Sequence, residues 1–191
     1  MKCLMCESIS LTHICKTCQN LHLKPRLFKR KISQNIEVIS FYKYKDIKEL
    51  LHTKHTDLGY YIYKILADNS MAIFAKEFNF KEKVFSIAID DDAKDGYSHT
   101  AILNKSLASN YIKPLHSKLR ATNSISYSGQ SKQFRLENPR NFKLLKCDAK
   151  DIILVDDIIT TGSTLTQAID TLKSNEKDVL FCLTLADVSL K

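Results

Sequence analysis

Ile152-Ile153-Leu154-Val155-Asp156-Asp157-Ile158-Ile159-Thr160-Thr161-Gly162-Ser163-Thr164 is the stretch that decides the fold. Ile152 to Val155 form an unbroken β-favouring apolar run without polar alternation, the pattern of a central strand buried on both faces of a parallel sheet. Asp156 and Asp157 fall at the carboxyl end of that strand, the edge at which open α/β sheets bind ligands. Thr160-Thr161-Gly162-Ser163-Thr164 supplies hydroxyls and consecutive backbone N–H groups around a glycine able to take positive φ. Leu165 to Lys173 reads as a helix, so those N–H groups stand at a helix N-terminus, which favours an anion. A monophosphate fits that turn, and the two carboxylates can accept hydrogen bonds from sugar hydroxyls. A plainer reading has Asp-Asp ending a strand and Thr-Thr-Gly-Ser capping a helix. Order and spacing together favour the ribose-phosphate site.

Outward from this strand the pattern stays α/β. Further strands are expected near Ile36 to Tyr42, Val84 to Ile89, Ser124 to Tyr127 and Asp178 to Ala186, with the central one spanning Asp151 to Asp156. Leu58, Tyr61, Ile62, Ile65 and Leu66 recur at helical spacing and predict an amphipathic helix continuing toward Phe78, its stripe facing the core. A second helix is expected from about Ser98 to Ile112, before Pro114. Strands alternating with helices predict a doubly wound, mostly parallel sheet. At 191 residues and 44% hydrophobic, the chain suits one medium domain with a small appendage. With 4 Gly and 3 Pro it carries no low-complexity linker, and no internal repeat is visible.

The appendage is at the N-terminus. Cys3-x-x-Cys6 and Cys15-x-x-Cys18 place four of the 6 cysteines in the first 18 residues. Two such turns supply four thiolates to a tetrahedral structural Zn²⁺. Disulfides would need an oxidising compartment, whereas Met1-Lys2-Cys3-Leu4-Met5-Cys6 opens without an apolar signal region and no long apolar run follows. A cytoplasmic protein is expected. His13, between the pairs, reads as a solvated loop residue, and Cys182, within Val179 to Leu183, as a buried small hydrophobe. Cys147 has no partner in the pattern.

At residues 152–164 the chain resembles the type I phosphoribosyltransferases, whose signature is an apolar strand, two acids, two apolar residues and Thr-Thr-Gly. The resemblance implies that Thr160, Thr161, Gly162, Ser163 and Thr164 grip the 5-phosphate of phosphoribosyl pyrophosphate (PRPP). It implies that Asp156 and Asp157 hold the ribose hydroxyls, with Mg²⁺ accompanying the pyrophosphate. With the four cysteines included, the whole chain resembles the competence-associated ComF family, a zinc knuckle joined to a phosphoribosyltransferase-like domain. On that likeness the division is a knuckle over 1–24, a basic linker over 25–35 and the main domain over 36–191. Phe41 to His52 resembles the family's aromatic strand running into a helix that ends near a Lys and a Gly, here Lys54 and Gly59. The family's Arg-Gly-Phe-Asn-Gln loop corresponds to Lys94-Asp95-Gly96-Tyr97-Ser98-His99, which keeps the glycine and an aromatic. Lys94 and Gly96 are therefore the candidates on the pyrophosphate side. Gln130 and Asn141 keep a family spacing, but the arginine expected between them falls on Asn138, with Arg135 and Arg140 nearby.

These departures bear on chemistry. Phosphoribosyl transfer depends on neutralising the leaving pyrophosphate, and losing cationic donors weakens that. The run Asp90-Asp91-Asp92 reads as a solvated loop before direct metal ligation. No general base can be assigned, so binding is better supported than turnover.

Charge is concentrated at one end. The formal net charge is +8, and residues 1–35 hold Lys2, Lys16, Lys24, Arg26, Lys29, Arg30 and Lys31 against Glu7. Phe28 among Lys24, Arg26, Lys29, Arg30 and Lys31 could stack a base while the cations follow phosphates, although a short basic run is commonly a solvated linker. The resemblance implies natural transformation, in which incoming DNA is single-stranded. Three functions compete: a competence factor that handles single-stranded DNA and retains a PRPP/Mg²⁺ site, a working phosphoribosyltransferase on an unidentified acceptor, and a scaffold. The scaffold would dock a competence helicase, an ATPase or another DNA-processing protein. Arg120 to Asn141, rich in Ser, Asn, Gln and Arg, is the expected hood or partner surface.

Overall fold

The computed structural model describes residues 1–89, 93, 96–123 and 137–190. Seven strands form one sheet in the order β1-β2-β7-β6-β3-β4-β5. They are β1 (Phe28–Lys31), β2 (Glu37–Lys43), β3 (Val84–Ile89), β4 (Ile112–Ala121), β5 (Phe142–Leu144), β6 (Asp151–Ile159) and β7 (Asp178–Asp187). The central pairings β2–β7, β7–β6, β6–β3 and β3–β4 are parallel, and only the edge strands β1 and β5 run antiparallel. The expected doubly wound, mostly parallel sheet is present.

The central strand behaves as its composition dictates. Ile152, Ile153, Leu154 and Val155 are all 0% exposed, with Ile152 and Leu154 on one face and Ile153 and Val155 on the other. The first of these faces packs under α6 (Ser163–Ser174) through Leu165, Ala168, Ile169 and Leu172. The other packs under α1 (Lys16–His22), α2 (Tyr44–Leu51), α3 (Asp57–Asn69), α4 (Met71–Glu77) and α5 (His99–Lys105). α6 returns the chain from the end of β6 to the start of β7, so the turn before it stands at the sheet's carboxyl edge.

Four sequence expectations are corrected. The helix expected to run toward Phe78 breaks at Ser70 into α3 and α4, because buried Ser70 donates its hydroxyl to the Leu66 carbonyl at 2.6 Å. The helix expected from Ser98 to Ile112 ends at Lys105, and Ile112 begins β4. Pro114 is tolerated in that strand because it pairs with β3 on one side only, β5 joining no earlier than Leu119. The basic linker contains β1, whose Phe28 and Arg30 are half-buried while Lys29 and Lys31 are exposed. Tyr61, expected on the core stripe, is 50% exposed and stacks on the half-buried loop residue His13 with ring centroids 4.5 Å apart. The strand expected at Ser124 to Tyr127 lies outside the described residues, as do Asp90 to Asp92, Gln130 and Arg135.

The N-terminal segment is part of the same body. Cys3, Ile14, Cys18 and Leu23 belong to one apolar cluster with Phe41, Ile62 and Leu66. Tyr42 donates its hydroxyl to the Leu23 carbonyl at 2.9 Å, and Asn69 of α3 donates to Gln19 of α1 at 3.1 Å.

Candidate functional site: an acid pair above a phosphate-type loop

β6 brings the two acids to the sheet's carboxyl edge in unequal surroundings. Strand alternation turns Asp157 inward, where it is 7% exposed, and leaves Asp156 half-buried. Oδ2 of Asp157 is met by three groups: Lys54 Nζ at 3.4 Å, the Tyr63 hydroxyl donating at 3.2 Å and His99 Nε2 at 3.5 Å. The Asp157 amide donates to Asp156 Oδ1 at 2.8 Å. A buried carboxylate requires such partners, since desolvation otherwise drives it to the neutral form.

The two carboxyls therefore titrate apart. Burial, and then the neighbouring charge of Asp157, holds Asp156 well above the usual carboxylate range. For Asp157 burial acts in the same direction, but the charges of Lys54 and His99 and hydrogen bonds from Lys54 and Tyr63 outweigh it and bring the group below its ordinary value. Burial and Asp157's charge also raise the Tyr63 phenol, which stays a donor.

The sequence contained Lys54 only as a family landmark and gave no signal for Tyr63 or His99. Lys54 lies in the 3-10 turn after α2, Tyr63 is fully buried on α3, and His99 opens α5 with its ring edge-on to Tyr63 at 5.3 Å. Tyr97 donates its hydroxyl to the Lys54 carbonyl, while Ser98 caps α5 by accepting from the Ala101 amide at 3.1 Å. Gly59 permits this crowding: a Cβ there would stand 2.0 Å from the Tyr97 hydroxyl and 2.2 Å from the Thr53 carbonyl oxygen. Of the two pyrophosphate-side candidates, Gly96 is exposed with φ +88°, and Lys94 is outside the described residues.

Beyond the acids, Thr160, Thr161 and Gly162 form the turn between β6 and α6, and Ser163 and Thr164 are the first two residues of α6. Gly162 is the N-cap of α6 with φ +85°, a conformation that favours glycine. Its carbonyl accepts the Thr166 amide at 2.8 Å, and the Thr161 and Ser163 hydroxyls are 2.8 Å apart. Asp156, Thr160, Gly162, Ser163 and Thr164 line one recess of about 20 Å³. Of the expected site residues, Asp156 and four of the loop share this recess, whereas Asp157 turns inward and Thr161 faces a separate cavity.

The expected nucleic-acid residues separate. Lys24, Arg26 and Lys31 are exposed. Lys29 pairs with Glu37 at 3.0 Å. Arg30 turns inward, its Nη2 donating to the Thr160 carbonyl at 2.7 Å and its Nε 3.0 Å from Asp187 Oδ2. Phe28 is half-buried in β1.

At the other end, ligand atoms of Cys3, Cys6, Cys15 and Cys18 all lie within 4.8 Å of one another. Four sulfurs at metal–sulfur distances of about 2.3 Å in a tetrahedron stand about 3.8 Å apart, and Cys6 and Cys15 are 3.7 Å apart. The backbone prepares thiolates. Cys15 and Met5 amides donate to the Cys3 sulfur at 3.2 and 3.4 Å, and hydrogen bonding led by Cys15 brings its thiol down to about 6. Burial pushes Cys18 up to about 12, which a bound cation would reverse. The donor set fits a tetrathiolate metal ion.

Strand order, an acid pair near the carboxyl end of a central strand that runs past the expected end at Asp156 to Ile159, and the threonine-rich turn opening α6 define a type I phosphoribosyltransferase-like domain. The chain belongs to the PRTase-CE family, whose model matches residues 19–189. No curated protein matches it. Among solved structures it is similar to an adenine phosphoribosyltransferase at 16% identity and TM-score 0.42, covering 88% of each chain. It is similar to the adenine phosphoribosyltransferase of Saccharomyces cerevisiae at 15% identity and TM-score 0.43, covering 90% of this chain and 88% of that one. It is also similar to the orotate phosphoribosyltransferase of Aeropyrum pernix at 14% and 0.38, covering 90% and 80%.

Proposed function

We propose that the domain binds PRPP with Mg²⁺, the ribose hydroxyls on Asp156 and Asp157 and the 5-phosphate on Thr160 to Thr164. The observation that carries this reading is the convergence of the acid pair and the Gly162 turn at one sheet edge, within a single β6–α6 connection. Mg²⁺ would neutralise the pyrophosphate. Lys54, already beside Asp157, is the described cation nearest the ribose end. Calorimetry of the full chain with PRPP and Mg²⁺ tests it. Asp156→Ala or Asp157→Ala should cost about 1.5–3 kcal/mol, or about tenfold to over a hundredfold in affinity. Unchanged affinity in the double variant removes the site.

The finer reading is a cytoplasmic factor of natural transformation, ComF-like, that handles single-stranded DNA, with the four cysteines holding a structural Zn²⁺. It is supported by the tetrathiolate cluster preceding the domain and by the +8 charge. No helix among the described residues is long and apolar enough to cross a membrane. With Lys29 and Arg30 engaged by Glu37 and Asp187, phosphate contacts along Lys24 to Lys31 fall from five to about three, and the log–log salt slope from about −3.5 to about −2. Titration of labelled single strands across salt concentrations reads that slope. A slope near zero sinks the DNA reading, whereas metal analysis decides zinc separately.

A further inference from the structure

A cavity of about 370 Å³ separates Thr161 and Ser163 from Lys31 and Ser33. Across this gap β1 and the residues after it make two hydrogen bonds and one close approach. Arg30 Nη2 donates to the Thr160 carbonyl at 2.7 Å. Ile32 Cγ2 stands 3.0 Å from where a Cβ on Gly162 would be. Gln34 donates to Asp170 on α6 at 2.5 Å. Arg30 is itself anchored, its Nε 3.0 Å from Oδ2 of Asp187, whose side chain is 3% exposed. Oδ1 of Asp187 accepts from the Ser189 amide and hydroxyl, both at 2.8 Å. One guanidinium therefore joins the end of β7 to the first residue of the phosphate-type loop.

We infer that Arg30 is a positioning residue, clamping Thr160 against β7 so that the loop's amides are held in phosphate-binding geometry. This rests on the PRPP reading of the site. The planar guanidinium suits the task because Nη2 donates to the Thr160 carbonyl while the buried Nε, which makes no hydrogen bond, sets the charge 3.0 Å from Asp187 Oδ2, two separated points that a single ammonium on a flexible stem does not reproduce. Arg30 thus acts from behind the loop, and its basic character in the sequence serves the fold rather than a nucleic-acid phosphate. Lys29 and Lys31, which alternate with it along β1, remain on the exposed face.

The test uses the full chain and two readouts. Amide exchange of residues 161–164 reports the clamp without ligand, and calorimetry compares ribose 5-phosphate with Mg²⁺-pyrophosphate. In Arg30→Met, exchange of the loop should rise about tenfold while Ile152 to Val155 stay protected. Ribose 5-phosphate affinity should fall about tenfold, with Mg²⁺-pyrophosphate affinity unchanged. Arg30→Lys should behave like Arg30→Met. Should Arg30→Met fail to fold because Asp187 is left buried and unpaired, the Arg30→Met/Asp187→Asn double variant removes the stranded charge and takes its place. Loop exchange equal to the parent's, or an Arg30→Lys variant indistinguishable from the parent, overturns the clamp. A parent that binds no ribose 5-phosphate overturns the PRPP reading instead, and exchange alone then decides the clamp.

Discussion

Tyr63→Phe isolates one hydrogen bond at the centre of the site. The phenol is 0% exposed and donates to Asp157 Oδ2 at 3.2 Å, the Leu51 carbonyl being a more distant 3.5 Å. Phenylalanine keeps the ring and its edge-on contact with His99, so no cavity larger than an oxygen arises, and a water would have to displace buried atoms to replace the hydroxyl. What is lost is a bond to a charged acceptor, worth about 1.5–3 kcal/mol. Lys54 and His99 still face the same oxygen, which places the cost at the lower end, about 1.5–2 kcal/mol. For a chain of this size that corresponds to a melting point lower by about 3–8 °C. The bond also lowers Asp157 toward its charged form, so the folded-state pKa lies below the unfolded one. Stability from this source is present above about pH 4 and is lost as pH falls through the folded value. Urea melts of parent and variant from about pH 7 to about pH 3 should therefore show a gap that narrows at the acid end. A gap that is absent at neutral pH, or that persists undiminished in acid, would falsify the assignment of Tyr63 as a donor to an ionised Asp157.

Asp156→Asn should stabilise the chain while weakening PRPP binding. The folded pKa of Asp156 is raised, so the parent loses stability as pH rises from about 4 through that value. Matched urea melts should favour the variant above that window and converge below it, and equal stability at all pH contradicts the assignment. Gly59→Ala should cost roughly 1–3 kcal/mol or more by overpacking against Tyr97 and Thr53, and a variant that melts with the parent would place that turn elsewhere. Metal analysis should find one equivalent of zinc per chain, lost when Cys3 and Cys15 are both changed to serine. Chelation should lower the melting of the whole chain in one transition rather than release the N-terminus alone, and a metal-free chain with an unshifted main transition excludes that coupling.

The central strand was legible because a strand buried on both faces needs an uninterrupted apolar run, and Ile152 to Val155 supply it. The acids and the Gly162 turn followed from the same local stretch. β4 was hidden because Lys113, Pro114, His116 and Lys118 break both apolar periods; pairing with β3 makes Ile112–Ala121 a strand. β1 was hidden because an edge strand carries charge without penalty, so Phe28–Lys31 read as a linker. The Asp157 network was illegible for another reason. Lys54 and Tyr63 are 103 and 94 residues from Asp157 in sequence, and nothing in their local pattern distinguishes a site tyrosine from a core one. The His13 ring likewise finds its partner on α3 in Tyr61, which keeps the spacing of the apolar stripe yet is 50% exposed.

α3 joins the two ends of the molecule. On one side Tyr61 stacks on His13 and Asn69 donates to Gln19, which in turn donates to the Ile14 carbonyl at 2.6 Å. On the other, Tyr63 reaches Asp157, and Gly59 fits under Tyr97. The helix spans 13 residues, about 20 Å, and its buried face includes Ile62, Ile65 and Leu66. Cys3, Ile14 and Cys18 share the same core as those residues. A helix packed to crystal-like density cannot shift at one end without moving side chains at the other. The helix that packs against the four-cysteine segment is therefore also the helix that carries Tyr63 to Asp157. Tyr61 and Asn69 face the N-terminal segment from this helix while Tyr63 faces the acid pair, so the two contacts are made by residues on opposite sides of one rigid element.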